Sequence, residues 1–335
     1  MDDGLFEVPK ATGHVGHLEF VPDSVATTLT QGCPSDKPFL NVPFTPQVGN
    51  NFFCPLALWM INMTLYAYYM YCHPKNPLIP PDLEDVKPLY WREGLSLFRE
   101  KKQCGLIAKI KPLSNDSTNR ILISFRGTDD IEEWMDNIDI LQIHTLPKPF
   151  PYSLKVHHGF WNVFASKISK KMASLQDQIH SLLPQYLSKT EPNEIYIAGH
   201  SLGGAISSLT AYDTILRHPD AKIISYTIGS PRFAHRSLST ALHELSHNPK
   251  YHFTLWRIFN TEDVVPTVPP PAIKNFNFSH LIPTDAKELN LIGALSFSSS
   301  LGDITSNHHP ITYFYGVKRQ CLSLNIPEKE KKFTA

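Results

Sequence analysis

Ser201 is the residue of this sequence best suited to act as a nucleophile. It lies in Gly199-His200-Ser201-Leu202-Gly203, which fits the pattern G-x-S-x-G. An apolar, β-prone run ends at Gly199, and small, helix-compatible residues follow the motif. This pattern predicts a sharp strand-to-helix turn that presents a strained serine, while backbone N–H groups at the helix start face a developing oxyanion. A plain strand-to-helix turn is the alternative interpretation.

The other groups of such a site must come from elsewhere in the chain. His200 adjoins the serine, but neighbouring side chains on a sharp turn diverge, so a base must reach Ser201 from another loop. We expect His200 to pack or to form hydrogen bonds beside the turn. The N–H of Leu202, the residue after the nucleophile, is one expected oxyanion donor.

Strands and helices alternate after about residue 105. Such alternation predicts an α/β fold in which a mainly parallel central sheet is flanked by helices. The predicted strands are GLIAKIKPL, RILISFRG, EIYIAG, KIISYTIGS and FTLWRIFN. The predicted helices are WNVFASKISKKMASLQDQIHSLL and SLGGAISSLTAYDTILRHP.

The sequence predicts one large domain between two extensions. Residues 1–50 are rich in Pro, Gly and Thr and are interpreted as an extended arm. Residues 51–320 form the predicted domain, and residues 321–335 form a solvated tail. The uncharged stretch Phe52–Tyr71 is close in length to a membrane span, but Pro55 and polar residues interrupt it. A buried helix is the preferred interpretation, with an interfacial or spanning segment as the alternative.

Net charge, cysteine spacing and the first ten residues indicate which partners and which cellular compartment to expect. The formal net charge is +0, which gives no indication of a nucleic-acid partner. The five cysteines are scattered, so we expect neither a zinc site nor a disulfide framework. The first ten residues, MDDGLFEVPK, carry no apolar leader. We therefore expect a cytoplasmic protein, with peripheral membrane contact as an addition.

Five segments, in chain order, resemble the class 3 lipases, the family of the fungal triacylglycerol lipases. They are ISFRGTDDIEEW, KVHHGFWNVF, GHSLGGAISSLTA, YTIGSPRFA and RIFNTEDVVPTVPP. The resemblance implies an α/β-hydrolase fold and a catalytic triad in the order Ser, Asp, His. This order also suits the fold on general grounds.

The resemblance implies roles for individual residues. Ser201 carries over as the nucleophile and Asp263 as the acid that orients the base. Asp263 also follows the apolar strand FTLWRIFN, at whose end a carboxylate can face a cleft. His309 is the preferred base, because Pro310 favours the first position of a helix and makes His309 its N-cap. His308 is the alternative. The resemblance places the second oxyanion donor at Thr128.

An amphipathic helix is predicted directly after Thr128. Its apolar residues follow the spacing i, i+3, i+4, i+7 of one helical face. They are Ile131, Trp134, Met135 and Ile138. A surface helix packed on the core is one interpretation. The other is a lid, because the family carries its mobile lid at this place.

The function implied by the resemblance is serine-dependent hydrolysis of carboxylic esters in acylglycerol-type lipids, through an acyl-enzyme and with lid-gated access. The expected partners are a lipid ester and a lipid–water interface or membrane surface. No metal and no organic cofactor are expected. A phospholipase, a diacylglycerol lipase or a feruloyl-type esterase on the same scaffold is one alternative. A lipase-like signalling or scaffold protein without turnover is another.

Overall fold

The computed structural model describes residues 42–47, 52–93, 100–114, 116–128, 143–147, 150, 154–169, 172–269, 272–273, 276–279, 292–297 and 304–323. The helices are α1 Cys54–Cys72, α2 His158–Ala165, α3 Leu175–Tyr186, α4 Leu202–Arg217, α5 Arg236–His247, α6 Ile304–His308 and α7 Pro310–Ser323. The strands are β1 Leu83–Glu93, β2 Glu100–Ile110, β3 Asn119–Phe125, β4 Ile143–Thr145, β5 Lys155–His157, β6 Asn193–His200, β7 Lys222–Ile228, β8 Ala234–His235, β9 His252–Asn260, β10 Ala272–Ile273, β11 Phe276–Ser279 and β12 Ile292–Phe297.

A seven-stranded sheet organises the fold, in the order β1-β2-β3-β6-β7-β9-β12. The strands from β3 to β12 pair in parallel, whereas β1, β2 and β3 pair in antiparallel fashion. One apolar layer joins the sheet to α2, α3 and α4, and a second joins it to α1 and α7. The predicted mainly parallel sheet flanked by helices is confirmed, and its arrangement is that of the α/β-hydrolase fold. A second, antiparallel sheet has the order β10-β11-β8-β5-β4.

Strands β3, β6, β7 and β9 begin and end close to their predicted positions, whereas the parallel strand β12 was not predicted. One predicted helix also differs from the structure. The stretch predicted as a single helix from residue 161 to 183 is two helices, α2 and α3, separated by nine residues. The break is explained by Ser174, whose Oγ accepts a hydrogen bond from the N–H of Asp177 at 3.0 Å. This N-cap begins a new helix, since serine satisfies one of the N–H groups that the first turn leaves open.

Helix α1 is the buried helix that was preferred for the uncharged stretch. Almost all of its side chains are buried, including those of Trp59 and Tyr66. Within the described part of the chain, no helix is both long and apolar enough to cross a membrane. The end of the predicted arm also packs on this layer, because Phe44 is buried and its ring lies edge-on to Trp59 at 4.8 Å between centroids. Residues 1–41 lie outside the described residues.

The cysteines form disulfides, contrary to the expectation from their spacing. Cys54, at the start of α1, is bonded to Cys321 in α7, across a sequence separation of 267 residues. Cys72, at the end of α1, is also disulfide-bonded, and Cys104 is buried and lies outside any disulfide. Disulfides are typical of proteins in oxidising compartments.

Candidate functional site

Ser201 occupies the strained turn that its motif predicts. Strand β6 ends at His200 and α4 begins at Leu202, so Ser201 is the single residue between them. Its backbone has φ 57° and ψ −126°, a conformation that costs a non-glycine residue about 1–3 kcal/mol. The turn is held by a 2.9 Å hydrogen bond from the Ser201 N–H to the carbonyl of Ile228. The turn requires glycine before it, because a Cβ on Gly199 would lie 1.9 Å from the carbonyl oxygen of Gly203.

The loop that follows β3 lies directly against this turn. A Cβ on Gly127 would lie only 2.6 Å from the Cβ of Ser201. Arg126 is fully buried and holds the loop through two carbonyls, since Nε donates to Gln103 at 2.8 Å and Nη1 donates to Gly127 at 2.5 Å. Thr128, the predicted oxyanion donor, is therefore the next residue along a loop fixed beside the serine.

Asp263 follows β9 and is buried with three hydrogen-bond donors around its carboxylate. Oδ1 accepts the N–H of Val265 at 2.9 Å. Oδ2 lies 2.5 Å from Nδ1 of His308 and accepts the hydroxyl of Tyr313 at 2.6 Å. A carboxylate held by this many donors has a fixed position, and it fixes the orientation of the imidazole that it contacts.

His308 is oriented for proton transfer. With Nδ1–H donated to Asp263, the lone pair of a neutral ring lies on Nε2. Within the described residues, neither this buried Nε2 nor the buried Oγ of Ser201 has a hydrogen-bond partner. The His308 ring also lies 4.6 Å, between centroids, from the ring of His200, the neighbour of the serine. The His308 ring, held by Asp263 through Nδ1, therefore lies beside the residue that precedes Ser201.

The structure therefore places His308, rather than the preferred His309, on Asp263. His309 is the N-cap of α7, as predicted, since its Nδ1 accepts the N–H of Ile311 at 3.2 Å. The capping bond occupies the lone pair that a base would need. Burial, together with the neighbouring His308, also lowers the pKa of His309 to about 3, far from the range useful for a base at neutral pH.

Two tyrosines of the site were missed by the sequence analysis. Tyr313 donates to Asp263, and burial beside this carboxylate raises its pKa well above the usual range, so it stays a donor. Tyr68, in α1, contacts both His200 and the N–H of Gly127. The only signal for Tyr313 is its place at the start of the last helix. Tyr68 has none, because it lies 132 residues from His200 in sequence.

Other predicted residues can be placed only in part. Leu202 is buried at the first position of α4, where backbone N–H groups have no partner within the helix. The four lid residues, Ile131, Trp134, Met135 and Ile138, lie outside the described residues. Among the residues that are described, no group of three or more side chains could hold a metal ion.

Comparisons with known proteins agree on one family. Residues 122–273 match the family model for lipase (class 3). A chloroplastic phospholipase A(1), DAD1, from Arabidopsis thaliana is 32% identical over 165 residues, which cover 46% of this chain and 35% of that protein. A lipase from Rhizomucor miehei is 30% identical over 173 residues, covering 49% of this chain and 41% of that protein. The chain thus spans less than half the length of both relatives. The solved structure of the Rhizomucor miehei triacylglyceride lipase aligns with 72% of this chain and 78% of its own, with 21% identity and a TM-score of 0.44.

Proposed function

Because residues 122–273 match the family model for lipase (class 3), we propose that this protein hydrolyses carboxylic ester bonds in acylglycerol-type lipids, with Ser201, His308 and Asp263 as its triad. One observation carries the proposal: Asp263 holds His308 by Nδ1 and leaves its Nε2 without a partner near the strained serine. His308 takes the place of His309 in the triad, and the other predicted roles are kept.

The reaction is acyl transfer in two halves. His308 Nε2 takes the Ser201 proton as Oγ attacks the ester carbonyl, and the N–H groups of Leu202 and Thr128 stabilise the oxyanion. The protonated imidazole then gives its proton to the leaving alcohol, and an acyl-enzyme remains. Water, activated by the same imidazole, releases the carboxylic acid and restores the serine. These steps need no metal and no organic cofactor.

Access to the site is proposed to depend on a lid at a lipid surface. An open lid exposes Ile131, Trp134, Met135 and Ile138 to lipid, and each inserted side chain contributes on the order of 1.5–3 kcal/mol. The same segment carries five acidic residues, which disfavour anionic membranes. We therefore expect a preference for neutral lipid surfaces. An unchanged ratio of emulsion to soluble-ester activity in Trp134→Ala would contradict this part of the proposal.

A phospholipase is the second candidate. It is favoured by the match to the phospholipase A(1) of Arabidopsis thaliana, and it uses the same triad on another head group. A diacylglycerol lipase or a feruloyl-type esterase would likewise use the same triad and would differ from the proposed lipase only in its substrate. A scaffold role without turnover is disfavoured by the strained turn at Ser201, since such strain persists at sites that use it.

The experiment is a substrate panel with matched variants. Wild type, Ser201→Ala, His308→Asn and His309→Asn are assayed on p-nitrophenyl butyrate, p-nitrophenyl palmitate, emulsified triolein and phosphatidylcholine vesicles. We expect Ser201→Ala and His308→Asn each to lower kcat by about 10⁴-fold or more, and His309→Asn to stay within about tenfold of wild type. Asparagine at residue 309 keeps a side-chain acceptor for the helix cap.

The outcomes separate the candidate functions. Serine-dependent turnover of triolein supports the acylglycerol lipase, and turnover confined to phosphatidylcholine supports the phospholipase. Turnover confined to butyrate indicates a soluble esterase. A large loss in His309→Asn together with an active His308→Asn would refute the assigned base. A wild-type chain that neither hydrolyses any of these esters nor labels with a fluorophosphonate would refute the enzyme altogether.

A further inference from the structure

A chain of hydrogen bonds connects the loop beside the serine to the backbone of the proposed base. The N–H of Gly127 donates to the hydroxyl of Tyr68 at 2.8 Å. The same hydroxyl lies 2.9 Å from Nδ1 of His200. Nε2 of His200 lies 2.7 Å from the carbonyl oxygen of His308. The chain therefore crosses from the oxyanion loop, through α1 and the residue before Ser201, to the segment that carries the base.

The chemistry of these groups fixes where each hydrogen lies. A carbonyl oxygen only accepts, so Nε2 of His200 carries the proton that is donated to His308. Burial, together with the neighbouring His308, lowers the pKa of His200 well below its usual range, so the ring is neutral and Nδ1 is an acceptor. The Tyr68 hydroxyl must then donate to Nδ1, and its lone pair accepts the N–H of Gly127.

Tyr68 holds the loop at the residue before the proposed oxyanion donor. Its hydroxyl accepts the N–H of Gly127, and Thr128 is the next residue along the loop. The fit is close, because a Cβ on Gly127 would lie 2.5 Å from the Tyr68 oxygen and 2.6 Å from the Cβ of Ser201. A shift of this hydroxyl therefore moves the loop relative to the nucleophile. Such a displacement of the loop lowers the rate, since catalysis depends on hydrogen-bond donors that point at the position of the oxyanion.

His200 positions the backbone of the proposed base, His308, as Tyr68 positions the loop. Its Nε2–H holds the carbonyl of His308, and the two rings lie 4.6 Å apart between centroids. The backbone of the base is therefore fixed from one side, while Asp263 fixes its ring from the other.

We propose that His200 and Tyr68 are positioning residues that couple the oxyanion loop to the base, so that both are aligned on Ser201 through one directed hydrogen-bond chain. The inference rests on the proposed function, because it assigns a role within that reaction. Neither residue touches the reacting atoms, and His200 takes no part in proton transfer.

The first test removes the hydroxyl of Tyr68 alone. Tyr68→Phe is compared with Tyr226→Phe, which deletes a hydroxyl from another buried tyrosine on the same face of the sheet. We expect Tyr68→Phe to lower kcat on p-nitrophenyl butyrate by about three- to tenfold, with KM within about twofold of wild type. Tyr226→Phe should keep kcat within about twofold. A kcat for Tyr68→Phe that equals the control would overturn the inference.

The second test separates coupling from a merely structural role. His200→Asn keeps an acceptor near the position of Nδ1 for Tyr68, whereas His200→Gln keeps a donor near that of Nε2 for His308. We expect Tyr68→Phe to keep its three- to tenfold cost in the asparagine background and to cost less than about twofold in the glutamine background. Equal costs in both backgrounds would show that the hydroxyl only packs, and would overturn the coupling.

A third readout does not depend on turnover. Two-bond ¹H–¹⁵N spectra of the histidine rings, with His200 assigned from His200→Asn, should show a neutral ring protonated on Nε2 at pH 7. A charged ring, or one protonated on Nδ1, overturns the inference even if the protein is an active hydrolase. The proposed function fails by a different result, namely the absence of both ester hydrolysis and fluorophosphonate labelling of Ser201.

Discussion

Replacing both Cys54 and Cys321 with alanine opens a covalent loop that joins the first and last helices of the described structure. The loop spans 267 residues. In the chain-entropy model, closing a loop of this length destabilises the unfolded chain by about 5.6 kcal/mol at 25 °C. A chain of 335 residues has an unfolding entropy of about 0.7 kcal/mol/K near its midpoint. The double variant should therefore unfold about 8 °C below wild type.

The assay is thermal unfolding followed by circular dichroism, with residual hydrolysis of p-nitrophenyl butyrate measured after each temperature step. Cys104→Ala is the control, because it removes a buried thiol that is not part of a disulfide and so opens no loop. The control should lower the unfolding temperature by only about 1–2 °C. Activity of the double variant should disappear over its own, lower transition, since α7 begins two residues after His308. A double variant no less stable than the control would refute the loop argument.

Three further predictions concern single residues of the site. Ser201→Gly should be more stable than Ser201→Ala by about 1 kcal/mol in urea unfolding, because glycine relieves the φ of 57° and alanine does not; equal stabilities would show that the turn is unstrained. Tyr313→Phe should lower the free energy of unfolding by about 1.5–3 kcal/mol, since it removes a donor from the Asp263 carboxylate and an acceptor from the N–H of Asn260; a loss below about 0.5 kcal/mol would contradict this. The pKa of His309 falls from 6.5 in the unfolded chain to about 3 in the folded one, so the unfolded chain binds the extra proton and stability is lost as pH falls below 6.5. Between pH 6.5 and 5, His309→Asn should lose about 1.6 kcal/mol less stability than wild type, and parallel pH profiles would refute it.

The sequence predicts those parts of the fold whose signals are local. Strands β3, β6, β7 and β9 are short apolar runs, and glycines flank the Ser201 turn, so neighbouring residues predict both. The parallel strand β12 was not predicted. Strand β1 was missed because LEDVKPLYWRE mixes charges and a proline with apolar residues, as edge strands do. The break before Ser174 was missed because one capping side chain decides it.

Contacts between distant segments are what the sequence does not reveal. Asp263 was found because it follows a strand directly, but the choice between His308 and His309 depends on which ring the end of a helix turns towards Asp263. The Cys54–Cys321 disulfide likewise depends on α1 and α7 lying side by side on one face of the sheet. Neither contact can be predicted from the spacing of these residues along the chain.

The pairing of α1 with α7 also sets the order in which this protein can be assembled. The family match, residues 122–273, includes Ser201 and Asp263 but neither Tyr68 nor His308. Tyr226 and Trp256 lie on the sheet face that α1 and α7 cover. During synthesis this face stays partly exposed until α7 has been made, because α7 follows every strand of the sheet. Contacts between residues far apart in sequence form slowly, and the apolar surface that is exposed in the meantime favours aggregation. The same order means that His308 reaches Asp263 only after the strands that carry Ser201 and Asp263 have been synthesised.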